Sequence, residues 1–152
     1  GGSTVTDVPA DAREIYPMPM FAQLLTPDPR ALADWYATLG FWELFSMPGP
    51  DGRPVLVHLR RLRYQDILIV PGDPGDTADR PGMSVSFSAD GTDLAATAAR
   101  ARNHGGGTVE GPTVQPWNAV EIRCTDPDGN VVVLTQPRDR SASFDDVMSG
   151  LV

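Results

Sequence analysis

The chain has 152 residues, 41% hydrophobic and 21% charged, enough apolar material for one domain or two small fused units. Twelve basic residues, all of them arginine, face 20 acidic ones for a net charge of −8, a field that repels nucleic acid and membrane surfaces and favours neutral or cationic partners. A single cysteine, Cys124, and two histidines, His58 and His104, exclude an internal disulfide and a Cys/His zinc cluster, and with no apolar run near the roughly 20 residues of a membrane helix the expected address is the cytoplasm.

Residues 1–16 lack periodicity and read as a mobile arm or an expression remnant. The short apolar run from Met18 to Thr26 predicts a strand. Asp28 and Pro29 then open a helix, one as cap and the other at the first turn, and Leu32, Trp35, Tyr36 and Leu39 fall on one apolar face before Gly40 stops it. Residues 41–47 read as a strand, 48–54 as a turn, and 55–62 and 64–71 as two more strands. The Pro/Gly/Asp-rich segment 72–82 cannot build a packed element and reads as a linker between modules 17–71 and 83–137.

After the linker the pattern restarts. Residues 83–89 (MSVSFSA) alternate as a strand does, Asp90 or Thr92 is expected to cap a helix from Leu94 to Asn103, and three glycines after His104 end it. Strands are predicted at 108–114, 117–125 and 130–136, with Asp126-Pro127-Asp128-Gly129 turning between the last two. Residues 138–152 form a polar tail in which Phe144, Val147, Met148 and Leu151, at helical spacing, offer a patch to dock on the body. The chain is thus an α+β protein of two tandem βαβββ modules about 63 residues apart.

This duplicated unit, the helix opening TPDPRALADWYATLGF and the late DPDGN turn before VVVLTQP resemble the vicinal oxygen chelate superfamily of glyoxalases, extradiol dioxygenases and bleomycin-type resistance proteins. The resemblance covers about residues 18–137. It implies cupped, mostly antiparallel strands with helices on the convex face and a ligand on the concave one, and it implies a homodimer. Phe21, Gln23 and Leu25 are then expected to face the cup while Ala22 and Leu24 pack beneath a helix. Ser84, Ser86 and Ser88 face the cup in the same way, with Met83, Val85 and Phe87 packed behind them.

The family's enzymes hold a divalent metal at four positions, which the resemblance places on Phe21, Ile67, Ser84 and Val133. Phenyl and branched alkyl groups offer a cation no oxygen or nitrogen. Gln23, His58, Asp66 and Glu121 are the donor-bearing residues from which a site would have to be rebuilt. No metal, cofactor or catalytic residue is therefore expected. Cys124 reads as a small core residue, His104 as a helix-end residue, and Trp35 and Tyr36 as core. Glu43, Glu121 and Arg123 are charges for solvent or for the ligand. If Phe41 packs under the helix, Trp42 faces the cup, and Trp117 sits at its rim. The expected function is non-enzymatic binding and sequestration of a bulky aromatic or cationic natural product, such as an antibiotic, by Phe21, Gln23, Trp42, His58, Ser84, Ser86, Trp117 and Val133. An isomerase, lyase or dioxygenase of the same fold with an atypical metal site, or none, is the alternative.

Overall fold

The computed structural model describes residue 18, residues 20–73 and residues 84–151; the expected N-terminal arm, Met83 and most of the expected linker lie outside them. The first module comprises β1 (Phe21–Thr26), α1 (Pro29–Ala37), β2 (Trp42–Pro48), β3 (Pro54–Arg60) and β4 (Asp66–Pro71). The second comprises β5 (Ser84–Ser88), α2 (Leu94–His104), β6 (Thr108–Gln115), β7 (Ala119–Thr125) and β8 (Val131–Pro137), followed by α3 (Phe144–Ser149). Each module forms its own four-stranded sheet, in the orders β1-β4-β3-β2 and β5-β8-β7-β6. In both, the first strand runs parallel to the last and the remaining pairings are antiparallel. The protein is α+β, built of two βαβββ units. No helix among the described residues is long and apolar enough to cross a membrane.

The local chemistry of α1 follows the sequence. The Asp28 carboxylate accepts the Ala31 amide at 3.1 Å, Pro29 occupies the first turn, and Leu32, Trp35, Tyr36 and Leu39 are all buried. In α2 the cap is Asp93, not Asp90 or Thr92. A capping carboxylate must reach the third amide of the helix from the residue just before its first turn, and Asp93 does so at Ala96, 3.0 Å away. Asp90 instead pairs with Arg140, and the Thr92 hydroxyl accepts from Arg61. Gly105 ends the helix with a φ of 76°, a conformation that carries little cost only without a Cβ.

One hydrophobic core spans both modules. Its spine is a run of edge-to-face rings, Trp35 to Tyr36 at 5.1 Å, Tyr36 to Phe41 at 5.6 Å and Phe41 to Phe87 at 5.4 Å, whose last step crosses from the first module to the second. A second crossing is polar: the Tyr36 hydroxyl donates to Asp126 at 2.8 Å. Asp126 also accepts the amides of Asp128 and Asn130, each at 2.9 Å, and the Asn130 side-chain amide at 2.8 Å, so the DPDGN turn is folded around a carboxylate that also holds α1. Arg61, just past β3, makes the third crossing. Its buried guanidinium donates to the carbonyls of Leu39 and Ser88 and to the side chains of Gln65 and Thr92.

Of the expected docking patch, Val147 and Met148 are half-buried and Phe144 and Leu151 exposed. The tail leaves β8 held to Asn118 of the β6–β7 turn, through bonds to Arg138 and Asp139. Ser143 caps α3, but Phe144 is 74% exposed and no residue of that helix is buried.

Candidate ligand-binding faces

Register decides which side chains share a face, because cross-strand partners point the same way. On the helix side of the first sheet, Ala22, Ile67 and Leu59 form one row and Leu24, Ile69 and Val57 the next, and all belong to or pack against the core. The opposite, open face carries the row Phe21–Asp66–Arg60–Trp42 and beside it Gln23–Leu68–His58–Phe45. Phe21, Gln23, Trp42 and His58 thus sit together in two adjacent rows. In the second sheet the open face carries Ser84–Val131–Thr125–Thr108, Ser86–Val133–Arg123–Glu110 and Ser88–Thr135–Glu121–Thr113. Ser84, Ser86 and Val133 share it, while Val85 and Phe87 pack on the core side. Trp117 precedes β7, 47% exposed, with its indole nitrogen 3.4 Å from Glu121, which lies on the open face.

Two expectations shift. Ile67 belongs to the core, fully buried, and not to the open face. Because Gln23–Leu68 in the first sheet answers Ser86–Val133 in the second, the repeat maps Val133 onto Leu68, and the one-residue slip exchanges faces. Glu43 is not available to a ligand either. It pairs with Leu59 on the helix side, where Arg30 grips it at 2.9 and 3.1 Å, and that guanidinium holds the Glu43 carboxyl below its ordinary range.

The open faces differ in chemistry. The first is aromatic and aliphatic, with Phe21, Phe45 and Met47 44%, 49% and 46% exposed in the single chain. Beneath them lies one ionic cluster: Asp66 Oδ1 accepts from Arg60 Nε at 2.6 Å and lies 2.7 Å from His58 Nε2. The second face is a field of serine and threonine hydroxyls with Arg123, Glu110 and Glu121. Among the described residues no hydrogen bond or ring contact joins the two sets. Two surface clefts, one between α1 and β2–β3 and one around Pro27–Arg30, take in none of the expected site residues.

The donor set does not fit the metal that the fold family implies. Phe21, Leu68 and Val133 carry no donor, and Ser84 only a hydroxyl. Asp66 spends its charge on Arg60, whose guanidinium also repels a cation, and Glu121 lies in the other module. Among the described residues no three His, Cys, Asp or Glu side chains converge as a metal site. Cys124 is buried on the core side, and burial pushes its thiol up to about 12, away from nucleophilic use. His104 is exposed at the end of α2.

The model of the Glyoxalase/Bleomycin resistance protein/Dioxygenase superfamily matches residues 19–134. The chain belongs to this superfamily. A search of curated proteins finds no significant match. Among solved structures, the superfamily fold recurs in a bleomycin resistance determinant encoded on transposon Tn5, 20% identical, with 79% of this chain and 98% of that one covered at a TM-score of 0.57. A bleomycin-binding protein complexed with bleomycin is 22% identical over 77% and 96%, at 0.58. TnmS3, an antibiotic-binding protein from Streptomyces sp. CB03234, is 28% identical over 78% and 95%, at 0.52.

The alternation of β1 and β5 made most of these faces legible in advance. What sequence reasoning missed was the partner of His58. The signal was present: a tight β3–β4 hairpin sets Arg60 opposite Asp66, and the diagonal neighbour of Asp66 on that face is His58.

Proposed function

We propose that this protein binds and sequesters a bulky aromatic small molecule, an antibiotic or related natural product, in the cytoplasm without transforming it, so conferring resistance or self-protection. The observation that carries this reading is the unlike chemistry of the two open faces, one for stacking and apolar contact and one for hydrogen bonding to hydroxyl and amide groups. The acidic surface favours a cationic ligand. Superfamily relatives described as bleomycin-binding and antibiotic-binding support the reading, and the poor donor set speaks against the metal-dependent enzymes of the same fold. Among the described residues no helix packs on either open face, and the reading includes a homodimer that sets the first face of one copy against the second face of the other.

A thermal-shift screen of aromatic antibiotics tests it, since a ligand of the native state raises Tm by mass action. A hit should quench indole fluorescence, and Trp42→Ala or Trp117→Ala should each weaken binding by about tenfold, as loss of a stacked anchor does. Full-affinity binding by both tryptophan variants, with circular dichroism unchanged, overturns the assigned lining. Elemental analysis showing about one transition-metal ion per chain favours the enzyme instead. Sedimentation at micromolar concentration showing only monomer removes the dimer.

A further inference from the structure

The ionic cluster on the first open face is unusual for an apolar wall. Asp66 and Arg60 have side chains 0% and 3% exposed, whereas the His58 ring is 18% exposed. A carboxylate paired with a guanidinium only accepts hydrogen bonds, so the contact places a ring proton on Nε2, the nitrogen 2.7 Å from Asp66. In the singly protonated ring this contact selects the tautomer whose Nδ1 carries a lone pair. No partner for it exists among the described residues, and the residues across from His58 on the neighbouring strands are Phe45 and Leu68, which offer none. The arrangement therefore fixes a hydrogen-bond acceptor, oriented by a buried charge pair, in a surface whose neighbouring side chains, Gln23 apart, are rings and aliphatic groups.

We propose that His58 is a specificity residue that selects aromatic ligands bearing a hydroxyl or N–H at the ring edge, with Asp66 and Arg60 as the positioning residues that hold its tautomer. The proposal deepens the binding reading and rests on it. A ligand that stacks on this wall without a donor leaves Nδ1 stripped of water and unpaired, whereas a phenol or ring N–H satisfies it. His58 thus acts as a filter, and the rings around it supply the grip.

Two measurements on the full chain test this. Nitrogen NMR of the histidine rings, with His104→Gln to assign the signals, should show His58 protonated at Nε2 and bare at Nδ1; a proton on Nδ1, in the opposite tautomer or in the imidazolium, overturns the proposal. The second uses matched probes, a dihydroxyanthraquinone and its dimethyl ether. The wild type should bind the hydroxylated probe about tenfold more tightly. His58→Phe should collapse the ratio of the two affinities to about one, and His58→Asn, whose carbonyl can stand near the place of Nδ1, should restore part of it. An undiminished preference in folded His58→Phe overturns the proposal, and if that variant fails to fold, an undiminished preference in His58→Gly does so. Wild-type protein that binds a screened antibiotic but neither probe overturns the ligand class and leaves the binding reading standing. Protein that binds nothing in either set overturns the binding reading itself.

Discussion

Asp126 shows how much one buried carboxylate holds when both oxygens are used. It folds its own turn through two amides and an asparagine and reaches across to α1 through Tyr36. Tyr36→Phe removes one of four donors and should cost about 1 kcal/mol in urea melts, whereas Asp126→Ala unmakes the turn as well and should cost about 3 kcal/mol. Burial first, and then the Asp126 charge, raise the Tyr36 phenol well above its ordinary value of 10.0. A raised value in the folded state means a contribution fully present below pH 10 and lost as the pH climbs beyond it, so alkali should unfold the wild type more steeply than Tyr36→Phe. Glu43 runs the other way. Its carboxyl is held below 4.5 by Arg30, so the contribution is present above that pH and fades on acidification. Glu43→Gln should lower stability by about 0.5 kcal/mol at neutral pH, with the gap to wild type closing as the pH falls below 4.5.

At the scale of elements, helix ends and close approaches are where single atoms matter. Asp93→Ala should cost about 1 kcal/mol of thermal stability by removing the cap of α2, and Asp90→Ala, an exposed pair with Arg140, less than about 0.5 kcal/mol. Gly107 opens β6 against the Trp35 ring. A Cβ there would lie 2.5 Å from the Thr125 carbonyl and 2.7 Å from the indole, so Gly107→Ala should destabilise by about 2 kcal/mol, measurable as a fall in Tm. The same elements show what could be read in advance. The apolar face of α1 and the serine stripe of β5 were legible because their periods, 3.6 and 2, separate the two chemistries cleanly. The strand DILIVP was not, because β4 is flanked on both sides and nearly every residue is apolar, so no alternation marks Ile67 as core and Leu68 as open. The cap of α2 was misplaced because three capping residue types crowd within four positions, and their tertiary partners decide among them. The His58–Asp66 contact needed a hairpin register that composition does not display.

Across the whole molecule, joining is concentrated on the helix side. The ring spine, the Tyr36–Asp126 bond and Arg61 link the modules. Arg61 donates only to neutral oxygens, and burial lowers its guanidinium from its ordinary value. Arg61→Ala should strand the Leu39 carbonyl, leave Ser88 with the Gln65 amide alone, and cost about 2 kcal/mol in denaturant melts, with the two modules no longer unfolding in one transition.

The rows that would meet a ligand take little part in this joining. Among the described residues the side chains of Ser84, Ser86 and Ser88 make no hydrogen bond, and the residues behind them do the packing. Recognition can therefore drift while folding stands still. A library varied at those three serines should keep nearly every member folded, with Tm spread over only a few degrees while ligand preference scatters widely. Under the proposed binding role, a scaffold so divided leaves a surface that can be rewritten without first finding a compensating stabiliser.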